Sequence, residues 1–277
     1  MFYAMAENKI DLRGYRFEHR LEDIQTLNER ALRGELHISA VSIHAYAYVT
    51  GKYALLPCGA SMGDGYGPIV VGRGPTPNVQ RPTLNKDSIE EMAAREFLDG
   101  KKIAVPGKMT SAFLALQLFL EKFDCVVVPF DQIFDAVRTG RADVGLIIHE
   151  GQLTYGKSGF QKIVDLGAWW KERTGLPLPL GGNVVRKDIP ARVRRDLSEI
   201  IRESIDYGLA HRDEAVRHSL PYARDMDAKL AGRFIGMYVN EFTRDYGELG
   251  RAAIRRFLNV AHDKGYINVP VEVEFVE

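Results

Sequence analysis

The most constraining feature of this chain is its punctuation: short strand-like runs alternate with stretches of helical period, and extended segments break the alternation. After an opening helix, "RFEHRLED" reads as a strand. "DIQTLNERALRG" follows with Asp23 as N-cap, Ile24, Leu27 and Ala31 on one face and Gly34 as the stop. "LHISAVS" reads as a second strand, Ser42 can cap a short helix through "IHAYAYVTG", and "YALLPCG" is a third strand. This β–α–β–α–β order predicts a mostly parallel sheet, because parallel neighbours need a crossover that a helix supplies.

The texture then changes. "GASMGDGYGPIVVGRG" is a Gly-rich loop running into a strand, and "PTPNVQRPTLNKD" is polar and aperiodic, marking a boundary or an excursion. A second alternating unit follows: strand "KKIAVP", a helix from Thr110 through Phe123, strand "DCVVVPF", helix "DQIFDAVRTG" and strand "ADVGLIIHE". "LPLPLGGNVVRKD" is extended and can cross back, and from Ala191 onward nearly everything is amphipathic helix, interrupted at Pro221 and Gly247. The expectation is an α/β protein of two lobes around a cleft. Residues 1–74 and 181–277 form one lobe, residues 75–180 the other, with a helical C-terminal tail.

Charge and composition narrow the function. Lys plus Arg and Asp plus Glu both number 37 in 277 residues, so no global field favours nucleic acid or an anionic membrane. Cys58 and Cys125 are too few for a disulfide framework and lack metal-site spacing, so buried free thiols are expected. No apolar run approaches a membrane span, and the N-terminus has neither the basic region nor the cleavage site of a secretory signal. A cytosolic protein is the expectation.

In open parallel sheets, ligands sit beyond the carboxyl ends of the strands, and three places qualify. In "KKIAVPGKMTSAFLALQLFL" a strand ends at Val105, a loop passes Gly107, and a helix begins near Thr110 and Ser111. First-turn N–H groups with two hydroxyls suit a carboxylate or phosphate, although the same residues serve as a plain helix cap. The Gly-x4-Gly-Lys-Ser/Thr spacing of a P-loop is absent. His149 directly follows an apolar strand, so its imidazole should emerge at the strand's carboxyl end, where histidine can act as a base near neutral pH. Ser42 occupies a similar strand-to-helix junction, either as a contact or as a cap. The glycines of "GDGYG" precede a strand-like "PIVVG" rather than a helix, which argues against dinucleotide binding. Trp169 and Trp170 can stack on an aromatic ligand or anchor a core.

At "GLIIHE", "VDLGAWWKERTGLPLPLGG" and "YVNEF" the chain closely resembles the 1,4-dihydroxy-6-naphthoate synthases of the futalosine route to menaquinone. "LEDIQTLNERAL", "VSIHAYAYV" and "AVPGKMTSAF" extend the likeness over nearly all of the sequence. The resemblance implies the two-lobed fold of type II periplasmic binding proteins, used as an enzyme. It implies a small carboxylated substrate, cyclic dehypoxanthinyl futalosine, converted to 1,4-dihydroxy-6-naphthoate and dihydroxyacetone. No metal, organic cofactor, nucleic acid or membrane partner is implied. The family's proton acceptor falls on His149, and its substrate contacts fall on Thr110, Ser111 and the segment ending at Ser42, Ala40 included. Some members carry Lys where this chain has Ala40, so that cation is lost here.

Two rival functions follow from the same features. Chorismate dehydratases of the same pathway have a segment more like Leu-Pro-Phe-Val-Phe-Ala where this chain has "LPLPLGG". A solute-binding protein that captures a carboxylate without reacting usually carries an export signal. Family members also begin with a strand and a loop resembling Ser-Pro-Cys-Pro-Asn-Asp-Thr ahead of the helix aligned with Met1. That helix opens on "MFYAMA" with no capping residue. The expectation is that Met1 is an internal methionine of a longer native chain.

Overall fold

The computed structural model describes residues 1–74, 86–222 and 227–277. They form two compact units, Met1–Gly63 with Pro179–Glu277, and Asp64–Leu178. The polar segment at 75–85 lies outside the described residues.

The first unit holds strands β1 (Ile38–Ser42), β2 (Tyr53–Leu55) and β3 (Ser61–Gly63). They share a sheet with β9 (Leu178–Arg186), in which β1 and β2 flank β9 and β3 also pairs with it. Both β1 and β2 run antiparallel to β9. The sheet therefore departs from the mostly parallel expectation: β1 and β2 have the same direction, but the returning strand threads between them. The last residues extend the far side of β2, where Leu55 N–H donates to the Glu274 carbonyl and Val276 N–H to the Leu55 carbonyl. Ala54, Leu56 and Val185 pack beneath Leu197, Ile200, Ile201 and Ile205 of the helix Ala191–Ala210, so the long tail covers this core.

"RFEHRLED" forms no strand. Tyr15 and Phe17 are half-buried while Arg16 and Glu18 are exposed, which is strand-like alternation, yet no described strand pairs with the segment. Alternation is satisfied by one apolar face, whereas a strand also needs a neighbour for its amides. The opening helix, Tyr3–Ala6, has Phe2 at its N-cap with no side-chain hydrogen bond.

The second unit is a five-stranded sheet in the order β6 (Asp124–Val127), β5 (Lys102–Val105), β7 (Val144–Ile147), β4 (Ile69–Gly72), β8 (Gln161–Asp165). The pairs β5·β6 and β5·β7 are parallel, as the alternation predicts, while β4 is antiparallel to both β7 and β8. Because β4 belongs to this sheet, the first crossing precedes residue 74, and the boundary falls at Gly63 rather than there. The helix Ser111–Leu120 is buried along Ala112–Leu116, Leu118 and Phe119. Trp169 meets Phe119 edge-on at 5.3 Å, and both tryptophans are buried, so they anchor the core. Cys58 is buried, with its thiol pushed up to about 12 by desolvation, which leaves it inert. Among the described residues no helix is long and apolar enough to cross a membrane.

Candidate functional site

In the second unit, β5 and β7 are parallel neighbours, with Ile103 opposite Val144 and Ala104 opposite Gly145. Parallel neighbours deliver their carboxyl ends to one edge of a sheet, so the segments leaving Val105 and Ile147 start side by side. One carries Thr110 and Ser111, the other His149.

Thr110 is extended (φ −75°, ψ 147°) and accepts from Phe113 N–H at 3.1 Å, while its own hydroxyl donates to the Gly107 carbonyl at 2.9 Å. The side chain is thus an N-cap, and its donor is already spent. Ser111 is the first helical residue, and both are 2% exposed. What Thr110 secures is the start of a ten-residue helix whose remaining first-turn N–H groups are directed away from the helix body.

His149 lies between Phe130 and Phe134, whose rings meet it edge-on at 5.7 and 5.9 Å. Its Nδ1 accepts from Gly151 N–H at 3.0 Å, and its carbonyl accepts from Gln152 N–H at 2.9 Å. Gln152, 7% exposed, returns its side chain to the Ile147 carbonyl at 3.2 Å. Two aromatic edges and three hydrogen bonds thus hold ring and loop. Gly151 is there for room: a Cβ on it would lie 2.7 Å from His149 Cε1 and 2.8 Å from Phe134 Cε2.

In the first unit, Ser42 ends β1 and precedes the helix Ile43–Tyr46. Its side chain does not cap that helix. Instead the buried Asn28 holds it twice: Ser42 N–H donates to Asn28 Oδ1 at 2.8 Å, and Asn28 Nδ2 donates to Ser42 Oγ at 3.1 Å. That arrangement leaves the hydroxyl proton of Ser42 available to a further acceptor. The register explains why. Arg186 N–H donates to the His37 carbonyl, so residues 37, 39 and 41 face β9, and the amides of Ile38, Ala40 and Ser42 face the outer edge. No described strand pairs with that edge. Ala40 offers only backbone there, and its carbonyl accepts from Ser39 Oγ at 2.9 Å.

Asn28 could not be singled out from its place in a helix, since nothing in its neighbours marks it as facing Ser42. Replacing it with Ala should strand the buried Ser42 amide and lower stability by about 1–3 kcal/mol, read from denaturant melts. An unchanged midpoint would show that the amide finds another partner.

Among the described residues no group of three or more His, Cys, Asp or Glu side chains could hold a metal. The "GDGYG" glycines run from the last residue of β3 into the connection to β4, without the following helix a dinucleotide fingerprint needs.

Comparison with known proteins places these features in a family. The family model described as menaquinone biosynthesis matches residues 1–263. A curated 1,4-dihydroxy-6-naphthoate synthase of Thermus thermophilus is 38% identical over 265 residues, which cover 96% of this chain and 90% of that protein. A crystal structure of a protein from Archaeoglobus fulgidus is similar at a TM-score of 0.86 and 41% identity, covering 96% of this chain and 93% of that one. An alkanesulfonate-binding protein from Xanthomonas axonopodis pv. citri, solved bound to MOPS, shares a TM-score of 0.61 at 12% identity over 90% of this chain and 83% of its own. That likeness shows a periplasmic-binding-protein-like fold.

Proposed function

The chain belongs to the menaquinone biosynthesis family, and on that premise we propose that it is a 1,4-dihydroxy-6-naphthoate synthase. The observation that carries the reading is 38% identity to a curated enzyme of that name across nearly the whole chain. The reaction is a carbon–carbon lyase step. Cyclic dehypoxanthinyl futalosine, a small carboxylated bicycle, gives 1,4-dihydroxy-6-naphthoate and dihydroxyacetone, with aromatisation as the driving force.

Groups suited to parts of that chemistry are found in each unit taken by itself. In the second, Thr110 fixes the helix start at Ser111, whose first-turn N–H groups suit a carboxylate, and His149, two residues past the end of the strand adjacent to β5, is the general base. In the first, the Ser42 hydroxyl and the Ala40 backbone offer neutral hydrogen bonds, and no cation stands at position 40.

The test is turnover of cyclic dehypoxanthinyl futalosine by the full chain, following 1,4-dihydroxy-6-naphthoate by chromatography and mass. Product above the uncatalysed background is expected. A folded protein that yields none overturns the reading and makes chorismate the next substrate to try.

A further inference from the structure

Two glycines stand side by side in β9, and they are there for different reasons. A Cβ on Gly182 would lie 2.7 Å from the Tyr246 hydroxyl oxygen and 3.0 Å from Leu55 Cδ2, so the core on that face has no room for it. A Cβ on Gly181 would meet the Val41 carbonyl oxygen at 3.3 Å and Ser61 Cβ at 4.0 Å, with nothing else within 4 Å. Gly181 has no left-handed φ either. Glycine inside a strand is destabilising relative to alanine, so neither packing nor backbone conformation accounts for its presence at position 181.

The surroundings of this gap are polar. The pairing of His37 with Arg186 makes Ser42 and Gly181 a non-hydrogen-bonded pair, the kind whose side chains stand closest, and it sets Ala40 opposite Asn183 on the same face. On the other flank β3 pairs with β9 and brings the half-buried Ser61 against the point where Gly181 would carry its Cβ. Ser42 and Ser61 therefore stand on either side of a residue with no side chain. Asn183, two positions along β9, is 1% exposed, and its Nδ2 has no hydrogen-bond partner. A buried donor in that condition is rare in folded proteins and marks the face as one built for polar contact.

We propose that Gly181 is a specificity-determining residue: the gap it leaves admits a flat ring of the substrate against the β9 backbone, between hydrogen bonds from the hydroxyls of Ser42 and Ser61. This rests on the reading above that Ser42 meets the substrate. A strand glycine is a place where a ligand can approach the backbone closely. Ser42, Ser61 and Asn183 are uncharged, and position 40 is alanine, so this face suits hydroxyl or carbonyl oxygens on the ring. A side chain at position 181 would project into the same space and exclude the ring, while the fold itself would accept it.

The test is steady-state kinetics with cyclic dehypoxanthinyl futalosine on Gly181→Ala, Gly181→Val and Ser61→Ala, with a titration of 1,4-dihydroxy-6-naphthoate and a thermal melt for each. Gly181→Val should raise KM and the product Kd at least about tenfold, and Gly181→Ala by less, with Tm near that of the unmodified chain. Ser61→Ala, which removes one neutral hydrogen bond, should raise them about 3- to 10-fold. Gly181→Ala, whose methyl has room, decides the matter if the valine variant does not fold. Unchanged KM and Kd in a folded Gly181 variant overturns the proposal, and so does a loss seen in Tm alone, which assigns the glycine to packing. An unchanged Ser61→Ala removes that hydroxyl from the contacts. The unmodified chain in the same assay separates the two readings. If it neither turns over nor binds product, the synthase reading falls and this proposal with it; if it is active and position 181 is indifferent, this proposal alone falls.

Discussion

Gly151→Ala is expected to lower kcat/KM about 100-fold while moving Tm by no more than a few degrees. The new methyl would sit 2.7 Å from His149 Cε1 and between 2.8 and 2.9 Å from Phe134 Cε2 and Cζ. Both obstacles are the ends of side chains, and rings can swing aside, so the clash is relieved by movement rather than by unfolding. Gly151 has no left-handed φ that alanine would strain. What moves is the imidazole, which loses its alignment with the Gly151 amide and with anything on its far side. Misplacing a reacting group by about 1 Å is enough for a loss of about 100-fold. Steady-state kinetics beside a thermal melt separates the two effects. Unchanged kcat/KM would mean that the position of His149 does not matter to turnover, and the site would have to be sought elsewhere.

The same glycine shows where sequence ends as a guide. His149 could be found because an apolar strand runs straight into it, and the structure places it off the end of β7 beside the segment that leaves β5. Thr110 could be found because a hydroxyl at a strand-to-helix junction is a local signal, and it caps as such a residue should. Gly151, Gln152 and Asn28 had no comparable signal. Asn28 lies fourteen positions from Ser42, and its importance exists only once the helix Ile24–Arg33 lies beside β1. Sheet order was illegible for a related reason. Helical crossovers announce parallel strands, but nothing local in "PIVVG" or "LPLGGNVVR" says that each will insert antiparallel between two others. Tyr15 and Phe17 mislead in the opposite sense, since period-two burial is a property of one face and a strand is a property of a pair.

Gly167→Ala looks as mild as Gly151→Ala on paper and should behave in the opposite way. A Cβ on Gly167 would lie 2.0 Å from the Tyr66 carbonyl oxygen, 2.1 Å from its carbon and 2.5 Å from Gly67 N. These are backbone atoms, so no rotamer relieves the contact. The two segments are also tied: Leu166 N–H donates to the Pro68 carbonyl at 2.9 Å, and the half-buried Asp165 carboxylate accepts from Gly167 N–H at 2.9 Å and Ala168 N–H at 3.1 Å. Separating them to admit a methyl strips the cap from the helix Leu166–Thr174, which carries Trp169 and Trp170 into the core. Burial already holds the Asp165 carboxyl above the ordinary carboxylate range, so losing those N–H groups leaves it less well solvated still. The cost should exceed about 4 kcal/mol, the range reserved for a named structural break. For a domain of this size that is a fall in Tm of roughly 8–16 °C. Gly156→Ala is the control, because nothing lies within 4 Å of its added Cβ and its φ is not left-handed. If Gly167→Ala melts within 2 °C of that control, the two backbones can part at little cost, and "LGAWW" owes its glycine to something other than this contact.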